Sequence, residues 1–108
     1  MKKTKSPKIV ITKKKERKNR FVLYLFVSGT STNSMNAITN IKRVCEMYLK
    51  NRYELKIIDI YQQPEELVSM QILAVPVLIK KFPLPEKRMI GDLSNTEKVQ
   101  KVLDLREE

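Results

Sequence analysis

The segment FVLYLFV, residues 21–27, limits what this chain can fold into more than any other: seven consecutive apolar side chains leave no polar face for solvent. A strand that is apolar on both sides is stable inside a sheet covered on both faces, so the expectation is a central strand of a layered α/β domain. The run ends at Ser28-Gly29 and leads through GTSTNS, where Thr30, Ser31 and Thr32 can cap a helix start with a hydroxyl. Beyond it Met35, Ile38, Ile41, Cys45 and Tyr48 recur at helical spacing, with Ala37, Val44 and Leu49 widening the stripe, while Asn40, Lys42, Arg43 and Glu46 fall off it. A second strand, YELKIIDI, is expected over residues 53–60. Two strands joined by a helix of this length form a right-handed βαβ unit with parallel neighbours.

In the second half, Pro64 followed by Glu65 and Glu66 marks the start of a short helix carrying Leu67, Met70 and Leu73, because proline suits a first turn and carboxylates suit its positive end. AVPVLIKKF, residues 74–82, reads as a strand, yet Pro76 lies inside it and cannot donate to a ladder. An edge position or a cis peptide would reconcile the two. PLPEKRMIGD then frames a turn and a short strand near residues 87–90, closed by Gly91. SNTEKVQKVLDL opens with Ser94 and Glu97 in capping-box spacing and sets Val99, Val102 and Leu103 on one helix face. No internal repeat is visible. The order βαβαββα is a thioredoxin-like α/β layout, a mixed sheet with helices on both faces.

The net charge of +10 is unevenly distributed. Residues 1–20 hold ten Lys/Arg against Glu16 alone, whereas residues 21–108 hold twelve basic and eleven acidic side chains. We therefore expect a basic, disordered extension over 1–20 and one folded domain over 21–108. Within the extension Ile9, Val10 and Ile11 could add a short strand to a sheet edge. Ten basic groups can also meet a polyanion, nucleic acid or an acidic membrane, in a salt-sensitive way. The extension has no aromatic residue to stack on bases, which argues against nucleic acid. The longest apolar runs fall short of the ~20 residues of a membrane helix and the start of the chain has no signal-peptide pattern, so a cytoplasmic location is expected.

The composition also excludes much catalysis. Without His there is no imidazole base and the commonest zinc ligand is missing; a single Cys allows neither CxxC nor an internal disulfide. A thioredoxin-like redox protein would carry its thiols at the junction of first strand and first helix, which here reads GTSTNS. Cys45 lies well along the apolar stripe and reads as a buried small hydrophobe. Gly29 alone makes no phosphate loop. Asp59, at the end of the second strand, reads as a hydrogen-bonded structural residue. No catalytic residue, cofactor or metal is expected.

From residue 21 to 105 the chain resembles the KaiB family of circadian clock proteins and their relatives, on LYLFVSGTSTNS, LKIIDIYQQPEE, QILAVPVLIKKFPLP, and above all RMIGDLSNTEKV followed by LDL. The resemblance implies a non-enzymatic module, in clock or stress-related regulation, that binds a KaiC-type ATPase ring, gathers KaiA-like proteins and competes with the SasA sensor domain. It also implies two available folds: a thioredoxin-like monomer or dimer, and a tetrameric ground state with a rearranged C-terminal half. Pro76 matches the family proline that is cis in the thioredoxin-like state. Lys56, Lys87 and Arg88 match the basic binding surface, whereas Tyr24, Asn36 and Gln71 stand where basic residues are frequent. Gly91, Asp92 and Asp104 match, and Val102 replaces a usual glycine. With Pro76 these four form the expected determinants of fold state. Valine suits a helix interior better than glycine, so the substitution favours a final helix and a thioredoxin-like resting state.

Overall fold

The apolar run forms β1 (Phe21–Val27), flanked by β2 (Tyr53–Asp59) and β3 (Val77–Phe82), with β4 (Lys87–Ile90) beyond β3. The computed structural model describes residues 20–105. The strand order β2-β1-β3-β4 is parallel between β1 and β2 and antiparallel elsewhere. Helices α1 (Thr32–Tyr48), α2 (Glu65–Ser69) and α3 (Thr96–Leu103) complete the expected βαβαββα order. The Ile9–Ile11 segment falls outside the described residues.

Alternation along β1 divides the core. Phe21, Leu23, Leu25 and Val27 pack with Leu78 against Ala37, Ile41, Val44 and Cys45 of α1 and against Val99 and Leu103 of α3. On the other face Phe26, Ile58, Val77 and Ile79 pack with Met70 and Ile72 at and beyond the end of α2. Helices thus cover both faces, one with α1 and α3 and the other with five residues of α2 and the chain that follows.

Local rules explain the element ends. The Ser31 side chain caps α1 by accepting from the Ser34 amide, so of the three candidate hydroxyls this one closes the turn. Ser34 is itself buried, its hydroxyl accepting from the Ser28 amide at 2.9 Å. The Val75-Pro76 peptide is cis, and β3 starts at Val77, one residue after the proline. Pro76 needs no ladder donor there, and β3 lies inside the sheet rather than at its edge.

Four expectations need correction. Met35 is 48% exposed, because the buried face of α1 is centred on Ala37, Ile41, Val44 and Cys45, about one residue round from the expected stripe. Leu73 is 97% exposed, since α2 ends at Ser69 and the chain turns through Gln71 at φ 55. β2 stops at Asp59, one residue short of the expected end: the Ile60 amide still donates to the Val27 carbonyl at 3.0 Å, and the Asp59 carboxylate, accepting from the Tyr61 amide, then turns the chain out of the sheet. The cap of α3 is Asn95, whose side chain accepts from the Lys98 amide, and not Ser94. The Ser94 amide instead donates to the Asp92 carboxylate, which holds that residue in the preceding turn.

Candidate functional site

Strand register decides which of the basic residues share a surface. Tyr24 pairs with Lys56 of β2 on one side and with Ile79 of β3 on the other, and Ile79 pairs with Arg88 of β4. Lys56, Tyr24, Ile79 and Arg88 therefore form one row across the α2 face, its two cations at opposite edges, three strand spacings or ~14 Å apart. Lys87 falls in the next row, with Lys80, Leu23 and Leu55, on the face covered by α1 and α3. The structure brings Lys56 and Arg88 together on one face and separates Lys87 from them.

The two cations are held differently. The Lys56 ammonium lies 5.9 Å from the centroid of the Tyr24 ring, within cation–π range, so the tyrosine supports the lysine without neutralising it. Beside them a shallow cleft of about 300 Å³ is lined by Tyr24, Lys56, Ile57, Ile58, Gln63 and Glu66. Arg88 is engaged: it donates to the Met70 carbonyl at 2.7 Å, to the Gln71 carbonyl at 3.0 Å and to the Glu86 carboxylate at 3.3 Å. These carbonyls follow α2, so Arg88 fastens the end of that helix to β4. Hydrogen bonds from Lys81, and then from Arg88, hold Glu86 below the usual carboxylate range. Around this row Val68 is 81% and Ile90 65% exposed, which gives the face a wide apolar margin.

Of the positions where the resemblance expects charge, Tyr24 sits in the row, Gln71 contributes only its carbonyl to Arg88, and Asn36 is exposed on α1. The expected fold-state residues frame the β3-β4-α3 half. The Pro76 carbonyl accepts from the Gly91 amide at 2.9 Å, tying the start of β3 to the end of β4. Gly91 has φ 121, a conformation strained for any side chain. The Asp92 carbonyl accepts from the Asn40 amide group at 2.8 Å and joins this corner to α1. Val102 lies half-buried in the last turn of α3, and Asp104 ends the helix in the left-handed region at φ 59.

One residue escaped the sequence reading. Lys80 is 1% exposed, and Asp104 Oδ2 lies 3.6 Å from its ammonium, with Lys87 sharing the same carboxylate at 3.9 Å. Period-two alternation from Leu78 points Lys80 inward, a signal present in VLIKKF but masked by the lysine that follows.

Thiol chemistry has no support in the geometry. Cys45 is fully buried, and burial, reinforced by the Glu46 charge, pushes its thiol up to about 12, far from a reactive thiolate. Asp59 spends its carboxylate on the Tyr61 amide, the structural role expected of it. Among the described residues no group of three or more His, Cys, Asp or Glu is placed to hold a metal ion, and no helix is long and apolar enough to cross a membrane.

Residues 24–105 match the family model of the KaiB domain. The chain belongs to the KaiB family. Among curated KaiB-family relatives, circadian clock protein KaiB3 of a Synechocystis strain is 46% identical over 87 residues, covering 81% of this chain and 85% of that protein. The circadian clock oscillator protein KaiB of Synechococcus elongatus is 42% identical over 85 residues, covering 79% and 83%. Among solved structures, the N-terminal domain of Synechococcus elongatus SasA superposes with a TM-score of 0.64 at 20% identity, covering 94% of this chain and 93% of that one. Fasciola hepatica thioredoxin gives 0.66 at 16%, covering 85% and 86%. This KaiB-family chain has a thioredoxin-like fold, and residues 1–20 lie outside the family match.

Proposed function

We propose that the protein is a non-enzymatic, cytoplasmic interaction module that docks on a KaiC-type ATPase ring through the α2 face, in clock or related regulation. The observation that carries this reading is the row from Lys56 to Arg88 with the exposed apolar groups beside it. A face with cations at both edges and an apolar margin suits a protein partner, the charges steering approach and the apolar area holding the complex. Membership of the clock protein family supports the partner class. The shared fold with the SasA N-terminal domain fits competition between the two for one ring. A redox role is disfavoured by the buried, partnerless Cys45.

Lys56 and Arg88 differ in role on this reading. Lys56 meets the partner, whereas Arg88 acts mainly by fixing the end of α2. Binding of the full-length chain to a KaiC-type ATPase, followed by biolayer interferometry in ATP and ADP states, tests it. Lys56→Glu should weaken binding by roughly tenfold or more without changing the circular dichroism spectrum. Absence of binding in both nucleotide states would overturn the proposal.

A further inference from the structure

Strand β2 is an edge of the sheet, and among the described residues its outer side has no ladder partner. The parallel ladder with β1 fixes its inner side: the Phe21 amide donates to the Arg52 carbonyl at 2.8 Å and the Ile60 amide to the Val27 carbonyl at 3.0 Å. Even positions from Arg52 to Ile60 therefore turn their backbone groups toward β1, whereas Tyr53, Leu55 and Ile57 present theirs outward. The usual devices that blunt an edge are missing or offset. YELKIID holds no proline or glycine and pairs with β1 without a bulge. One lysine, Lys56, stands on the edge, and Glu54 balances its charge.

The side chains along this edge complement themselves. An antiparallel second copy of β2, placed about a twofold axis at Leu55, sets Tyr53 opposite Ile57, Leu55 opposite Leu55 and Ile57 opposite Tyr53. These are the residues whose backbone groups point outward, so each becomes a hydrogen-bonded pair. The same register sets Glu54 opposite Lys56 on the α2 face, twice by symmetry, in the non-hydrogen-bonded pairs where side chains approach more closely. On the α1 face Tyr53 meets Ile57, which is 38% exposed in the single chain. Opposite charges and an aromatic ring against a β-branched side chain are both favourable cross-strand pairs.

Other registers lose this match. Sliding the copy by two residues sets Glu54 on Glu54 or Lys56 on Lys56, and sliding it by one sets outward backbone groups against inward ones. Both charged groups are available. Glu54 is exposed and makes no ion pair or side-chain hydrogen bond among the described residues, and the Lys56 ammonium rests on the Tyr24 ring rather than on an acid. The opposite edge, β4, has four residues with two cations and no acid, so it lacks this self-complementarity.

We propose that two copies of this chain pair through β2 as antiparallel edge strands centred on Leu55, forming a dimer with one continuous sheet. Lys56 belongs both to this contact and to the proposed ATPase face, but the dimer does not rest on the ATPase reading, since its test contains no ATPase.

Analytical ultracentrifugation of the full-length chain between ~1 and ~200 µM tests it, with a monomer–dimer equilibrium expected by mass action. Glu54→Lys and Lys56→Glu, each alone, place like charges opposite each other at both symmetric sites and should weaken the dimer by roughly tenfold or more. Combining the two substitutions in one chain should restore it. An equimolar mixture of the two single variants should form a mixed dimer more tightly than either variant pairs with itself, because each then meets its opposite charge. Lys42→Gln on α1 should change nothing, and circular dichroism checks the fold of every variant. A monomer at every concentration overturns the proposal and leaves the edge to a different chain. A tetramer without a dimer step, a dimer indifferent to both charge reversals, or a mixture that pairs no better than its components also overturns it.

Discussion

Burying a lysine removes its ammonium group from water, and Lys80 gains in return a single carboxylate, Asp104, that is itself half-exposed. The pair joins β3 to the end of α3, so the counter-charge beside Lys80 depends on the helix terminus being in place. Asp104→Asn isolates this effect, because asparagine also tolerates the left-handed conformation at φ 59. We expect it to cost about 1–2 kcal/mol in urea unfolding, below the range for a fully buried pair because solvent reaches Asp104. Lys80→Met should be close to neutral and should abolish the effect of Asp104→Asn, since an apolar side chain of similar length needs no counter-charge. Equal destabilisation by Asp104→Asn in both backgrounds would remove the pair from this account.

At the scale of elements, α3 spans only residues 96–103, and its ends matter accordingly. Asn95→Ala should cost about 1 kcal/mol and Ser94→Ala close to nothing, measured by chemical denaturation. The reverse order would restore Ser94 as the cap. This element shows where sequence reading reaches its limit. Spacing located α3 and its buried Val99 and Leu103, but three adjacent capping types, Ser94, Asn95 and Thr96, cannot be ranked without the turn that precedes them. The Asp92 carboxylate settles the matter by holding Ser94 outside the helix. β1 and β4 were legible because their composition and boundaries agree, and β2 to within its last residue. Leu73 was misplaced because a left-handed turn at Gln71 leaves no mark in an apolar run. The candidate site was half legible: Lys56 and Arg88 were visible as residues, but their row with Tyr24 and Ile79, and the separation of Lys87, follow from register between strands distant in sequence.

For the whole molecule, the thioredoxin-like arrangement places residues 96–103 in a helix packed through Val99 and Leu103 on the β1 core. Val102 sits in its last turn, where glycine, about 1 kcal/mol below alanine in helix propensity and below valine as well, would loosen it. A chain that rests in this fold should give helical backbone chemical shifts across residues 98–103 and sediment as a monomer or dimer. A strand over this segment together with a tetrameric mass would show the rearranged ground state instead.

The central place of β1 has a consequence for synthesis. Its seven apolar residues are translated first among the described strands, and both its neighbours, at 53–59 and 77–82, come later. Until they arrive, FVLYLFV is an unpaired β-forming segment of the kind that aggregates. The like charges of residues 1–20 emerge just ahead of it, so each nascent chain carries its own electrostatic gatekeeper through the interval when its core strand has no partner.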